Sequence, residues 1–260
     1  LLELEDVPAG HSTGFPHLDK IIGGLKPGLF VLAAPPSAGK TTFVKQLADQ
    51  VAESDTTPPV LFFTYEQSAA DIRVKTLARL SGLSNELIKA GKADSKRLDD
   101  AVTQYRRFGG QMKIIEGDRY HTVGAILLMA QRERQRTGQP PVIVVDYLQA
   151  MPISDPSLPD RRTQVDYVIT ELRRIARDTG ASIIAVSSMS RQEYDKAKMS
   201  AFKESGGIEY GADVAGVMTV DKEDDNGTSR EIELVVLKNR HGRRGKVYME
   251  YQMPTDHFTS

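Results

Sequence analysis

Residues 31–43, VLAAPPSAGKTTF, restrict the fold more than any other stretch of the chain. An apolar run, a turn of small residues and then Gly39-Lys40-Thr41 before an amphipathic segment have the order of a phosphate-binding loop between a strand and a helix. The usual pattern, G-x-x-x-x-G-K-[ST], is broken at its first position, where Ala34 stands for glycine. Pro35 and Pro36 follow, and neither can donate a backbone N–H. The amides at the start of the next helix would face the phosphates, with the helix dipole adding to the attraction. Lys40 would reach the β- and γ-phosphates, and the Thr41 hydroxyl would serve Mg²⁺. The candidate nucleotide-binding segment is Ala34, Pro35, Pro36, Ser37, Ala38, Gly39, Lys40, Thr41 and Thr42.

Around this loop, strand-like runs at 29–34, 60–65, 112–115, 142–146 and 182–187 alternate with helical patterns. The helical patterns lie at 40–53, 69–81, 95–108, 122–137 and 161–179. Such alternation predicts an α/β fold, a mostly parallel central sheet flanked by helices. Near-continuous hydrophobicity in 142–146 and 182–187 suits strands buried on both faces. Residues 150–160, with three prolines, read as an exposed loop, and 191–211 as a long polar one. Three further runs, at 214–220, 231–237 and 246–251, predict a C-terminal antiparallel extension. Its first turn, DKEDDNGTSR, carries the Asn-Gly step of a hairpin. No internal repeat is visible, so the expected organisation is one domain over 13–260 after a residual linker at 1–12. The start at Leu1 suggests a piece of something longer.

A second element supports the first. In VIVVDYLQ, residues 142–149, four apolar residues end in Asp146 at the carboxyl edge of a strand. This is a Walker-B pattern, in which Asp146 would hold Mg²⁺ through water. Glu66, in FFTYEQS, ends the run 60–65 and is placed to polarise an attacking water. Taken alone, Glu66 is equally a solvated strand-end residue.

Composition then excludes several classes. No apolar run approaches the roughly 18 residues of a membrane span, and there is no signal-peptide pattern, so a cytoplasmic location is expected. The absence of cysteine excludes disulfides and thiolate metal sites, and the five histidines lack ligand spacing. With a net charge of −1, any hold on nucleic acid must come from local patches. One such patch is Lys238, Arg240, Arg243, Arg244 and Lys246, whose alternative role is to solubilise an edge hairpin. The arginines of QRERQRTG, 131–138, read as a solvated helix face.

The stretch TGFPHLDKIIGGLKPGLFVLAAPPSAGKTTF, residues 13–43, resembles the start of the motor domain of DnaB-type replicative helicases. That family carries alanine at the first loop position and a proline two residues on, which matches Ala34 and Pro36. The resemblance runs from Thr13 to Phe258 through TYEQS, VVDYLQAM, FKESGGIEYGADV and LKNRHG. It implies a RecA-like P-loop NTPase in which Lys40, Thr41, Asp146 and Glu66 act on ATP and Mg²⁺, Glu66 as catalytic base. Lys238 and Arg240 would reach the nucleotide of a neighbouring subunit. Lys203, Glu204 and Gly206 would lie in a loop that holds single-stranded DNA, with Phe202 as the aromatic residue close by. Ser188, in AVSSMSR, stands where the family has a γ-phosphate-sensing glutamine, and its shorter side chain would need a bridging water.

By resemblance the chain is an ATP-hydrolysing DNA helicase motor that translocates on single-stranded DNA and unwinds duplex during replication. It would form a homo-oligomer, a hexameric ring, with a primase or a helicase loader as further partner and no membrane. The family's helical N-terminal domain and linker helix are not in this sequence. Two other functions share the loop and Walker-B signals. One is a strand-exchange or clock-type ATPase of the RecA-like clan, and the other is an ATP-binding adaptor that assembles on partners without unwinding.

Overall fold

The structure, a computed structural model, describes residues 10–54, 56–153, 157–158, 160–189, 197–202 and 206–260. In chain order the elements are α1 (Pro16–Ile22), β1 (Gly28–Ala34), α2 (Lys40–Glu53), β2 (Val60–Thr64), α3 (Ala69–Ser81), α4 (Asn85–Lys89) and α5 (Ser95–Phe108). Then come β3 (Met112–Glu116), α6 (Val123–Thr137), β4 (Val142–Asp146), α7 (Arg161–Thr179), β5 (Ser182–Ser188) and α8 (Gly206–Gly211). The chain closes with β6 (Val214–Glu223), β7 (Ser229–Asn239), β8 (Gly245–Gln252) and β9 (His257–Thr259).

One sheet contains all nine strands in the order β3-β2-β4-β5-β1-β6-β7-β8-β9. The first six in that order are parallel and the last three antiparallel, a mostly parallel sheet with an antiparallel C-terminal extension as expected, except that β6 joins β1 in parallel and a short unpredicted β9 closes the edge. Alternation along β1 divides the interior in two. Phe30, Leu32 and Ala34 point into a core shared with α2 and the C-terminal strands, while Leu29, Val31 and Ala33 point into one shared with α6 and α7. Every residue of β1, β2 and β4 is buried, which is why those runs are apolar up to Thr64 and Asp146 at the carboxyl ends of β2 and β4.

Helix α2 is enclosed along most of its length, charged residues included. The Lys45 ammonium contacts the Asp49 carboxylate one turn on, and Asp49 also accepts from Thr76 Oγ1 at 2.7 Å and Arg79 Nη2 at 3.3 Å. Burial pulls the Lys45 ammonium below its ordinary pKa, against the pull of Asp49.

Two expected loops are corrected. Among the described residues of 150–160, Met151 is buried in the core after a 3₁₀ turn at Leu148–Ala150, and Asp160 caps α7 by accepting from Thr163 N, while 154–156 and 159 lie outside the described residues. In 191–211, a 3₁₀ turn at Met199–Ala201 and helix α8 are present, and Met189 bridges to Phe202. Residues 190–196 and 203–205 lie outside the described residues. Within the supposedly solvated QRERQRTG, Glu133 is buried, held by Lys113 and by Arg136 at 2.8 Å.

Candidate nucleotide-binding site

The carboxyl ends of β1, β2, β4 and β5 meet on one edge of the sheet, where α/β folds bind ligands. Strand register fixes this. Ala34 pairs with Ser188 across β1 and β5, and Thr64 pairs with Asp146 across β2 and β4. The turn after Thr64 then carries Glu66 over the same edge. A cleft of about 720 Å³ opens there, lined among others by Ser37, Lys40, Thr41, Glu66 and Ser188.

Ala34 is fully buried, and Pro35 turns its carbonyl inward to accept from Ala38 N and from Lys40 Nζ, both at 3.4 Å. Pro36 and Ser37 are exposed at the lip. Gly39 caps α2 at φ +80°. A Cβ there would lie 2.8 Å from Tyr251 Cε1 and 2.9 Å from Phe258 Cζ, so both conformation and space demand glycine.

Thr41 Oγ1 donates to Asp146 Oδ2 at 2.7 Å, although 105 residues separate them in sequence. Burial pushes the Asp146 carboxyl above its ordinary pKa; the Thr41 hydrogen bond opposes that rise and the Glu66 charge adds to it. Burial also lowers the Lys40 ammonium, against the attraction of Asp146 and Glu66. A hydroxyl and a carboxylate side by side, both hard oxygen donors, fit Mg²⁺, which takes one or two protein ligands beside phosphate and water. Among the described residues there is no cluster of three or more His, Cys, Asp or Glu that could hold another metal.

Glu66 is exposed toward the cleft, in reach of water. Ser188 ends β5, with its backbone N–H donating to Gln149 Oε1 at 3.0 Å. Gln149 Nε2 donates to Ser187 Oγ at 3.0 Å. One buried glutamine, three residues past Asp146, therefore ties the Walker-B strand to the end of β5.

Several contacts around the cleft carry no local sequence signal. Thr42 Oγ1 donates to Asp256 Oδ1 at 2.9 Å. Lys75 Nζ donates to Thr42 Oγ1 at 3.2 Å and Asp256 Oδ1 at 3.1 Å. Tyr251 stacks on Phe258 at 4.4 Å beneath the loop, and burial pushes its hydroxyl up to about 12. Gln46 exchanges two hydrogen bonds of 2.8 Å with the backbone of Phe258. Arg230 donates to the Ser37 carbonyl. The C-terminal antiparallel strands thus form the floor of the cleft.

Lys238 and Arg240 are elsewhere. Arg230 is next to the start of β7 and these two are at its far end, about 30 Å away at roughly 3.3 Å per strand residue. Lys238 Nζ donates to Glu209 O at 2.6 Å, and Arg240 donates to Tyr210 O, so both cap the carboxyl end of α8. Burial lowers the Lys238 ammonium, and the charge of Arg240 lowers it further. Beside them a second groove, of about 540 Å³, is lined by Arg173, Arg174, Arg177 and His241. Of the expected DNA loop, Lys203 and Glu204 lie outside the described residues, while Gly206 opens α8. Phe202 is buried in the core and offers no ring to a base.

The sequence model of the DnaB-like helicase C terminal domain matches residues 10–260. The replicative DNA helicase DnaC of Bacillus subtilis (strain 168) is 31% identical over 252 residues, 93% of this chain and 54% of its own length. This chain therefore spans about half the length of that relative. Among solved structures, one described as an ATPase domain superposes with a TM-score of 0.87 at 23% identity, over 98% of this chain and 93% of that one. A DnaB-like replicative helicase described with its interactions with primase gives 0.86 at 24% identity, over 96% and 61%. At that identity the two structures establish the RecA-like fold, and the family match supplies the rest: the chain belongs to the DnaB-like helicase C-terminal domain family.

Proposed function

We propose that the chain is the ATP-hydrolysing motor of a cytoplasmic replicative DNA helicase, working as a ring of six that translocates on single-stranded DNA. The observation that carries this reading is the separation along β7. Lys40, Thr41, Asp146 and Glu66 share one cleft, while Lys238 and Arg240 lie about 30 Å from it. No rotamer of Arg240 spans that distance. If both sets serve one nucleotide, they come from two copies of the chain.

In this reading the loop amides and Lys40 bind the β- and γ-phosphates, and Glu66 accepts the proton of the attacking water. Thr41 and Asp146 hold Mg²⁺, which when bound neutralises the phosphate charge. Arg240 and Lys238 of the next subunit meet the charge that develops on the transferred phosphoryl group. Ser188, which lines the cleft at the end of β5, would read the γ-phosphate through a bridging water. Lys203, Glu204 and the amides around Gly206 hold the strand by its backbone, and Phe202, buried in the core, does not stack on a base. A primase or a helicase loader is the expected further partner.

Displacement of a labelled strand from a forked duplex, driven by ATP, tests the motor reading. DNA-stimulated hydrolysis without displacement would favour an ATPase that assembles on partners instead. Binding to single strands carries its own expectation. With about four phosphates neutralised per subunit and a slope of about −0.7 each, fourfold more salt weakens binding roughly fifty-fold. Titration of a fluorescent oligonucleotide at two salt concentrations reads this, and an affinity indifferent to salt contradicts the channel.

A further inference from the structure

Arg230 lies 193 residues from the loop that it touches. Its Nε and Nη2 donate to the two carboxylate oxygens of Glu223 at 3.0 and 3.3 Å, and its Nη1 donates to the Ser37 carbonyl. Glu223 is the cross-strand partner of Arg230, on the last position of β6. The bidentate pair fixes the guanidinium plane, leaving the remaining nitrogen aimed at the loop. The side chain is only 16% exposed.

Ser37 has φ +63°, a left-handed conformation that non-glycine residues seldom adopt and that persists where the surroundings hold it. On its own side of the loop, Ser37 projects into the cleft beside Pro36 and Gly39. The same C-terminal strands grip the segment again at Gly39, Thr42 and Gln46. Ser37 is the one of these positions held by a side-chain hydrogen bond ahead of the helix, which begins at Lys40.

We propose that Arg230 is a positioning residue for the phosphate-binding loop. By holding the Ser37 carbonyl against β7, it fixes the turn from which the following amides face the phosphates. Glu223 acts through Arg230 by orienting it. The proposal deepens the nucleotide-site reading and rests on it.

Positioning of the loop has a signature that direct contact with a base or ribose lacks: it acts alike on every ligand that carries the phosphates. The test displaces a fluorescent ATP analogue from the full chain with either ATP or inorganic triphosphate. Arg230→Ala is expected to weaken both competitors by one common factor of about ten, the loss of a single charged hydrogen bond. Glu223→Gln and Arg230→Lys should weaken both by a smaller common factor, with the unfolding midpoint unchanged. These two variants keep the test open if Arg230→Ala does not fold.

Weakened ATP with unchanged triphosphate would place Arg230 on the base or sugar and overturn the proposal. So would unchanged affinity for both competitors in all variants. Failure of the unsubstituted chain to bind either competitor would overturn the nucleotide site itself, and the proposal with it.

Discussion

Replacing Arg240 by alanine is expected to lower ATP turnover of the assembled protein by roughly 10³-fold or more, the effect of losing an arginine that meets transition-state charge. Nucleotide affinity of the isolated chain should not change, because Arg240 lies at the end of β7 remote from its own cleft. The arginine is not idle in one subunit. It caps Tyr210 O and lies 3.6 Å from Asp213, contacts that a neighbour's phosphate would have to outcompete. Mixing Arg240→Ala subunits with Glu66→Ala subunits should restore part of the turnover, since an interface then pairs an intact Glu66 with an intact Arg240. Steady-state hydrolysis across a series of mixing ratios reads this. A strictly additive series, with no recovery, would remove Arg240 from a shared site.

Glu66→Gln should cost about 10² to 10⁴ in the hydrolysis step while leaving ATP bound, the usual contribution of a positioned general base. The amide matches the carboxylate in shape but cannot take the proton of water. Single-turnover hydrolysis measured beside equilibrium binding separates the two effects. Binding is expected to survive because, in the proposed reading, the phosphate contacts would come from Lys40 and the loop amides, with Thr41 and Asp146 holding the metal. A variant that turns over at the normal rate would make Glu66 an ordinary solvated strand end, the reading its exposure alone allows.

Much of this site is legible in the sequence because its signals are local. GKT after an apolar run, and an aspartate closing VIVVD, each state strand, turn and chemistry within a dozen residues. Strand register then brings Ala34, Thr64, Asp146 and Ser188 to one edge without further information. The helices read from periodicity at 40–53, 69–81, 95–108 and 161–179 coincide with α2, α3, α5 and α7.

What escapes such reading is non-local or short. Arg230, Tyr251 and Asp256 reach the loop from about 190 to 220 residues away along the chain, by antiparallel pairing that no local pattern encodes. Helices α4 and α8 have five and six residues, too few for a periodic signal. Lys45 and Asp49, one turn apart on α2, are buried beneath α3, whose Thr76 and Arg79 donate to Asp49. Phe202, in a polar stretch, is held inside by the short turn before it.

The most direct test of the central claim is ATP hydrolysis with and without single-stranded DNA, on protein whose mass in solution is measured in the same sample. A motor that shares its sites between subunits predicts slow turnover for the single chain and a DNA-stimulated rate that rises with assembly. A rate that is the same for single chains and assemblies, and indifferent to DNA, would contradict it.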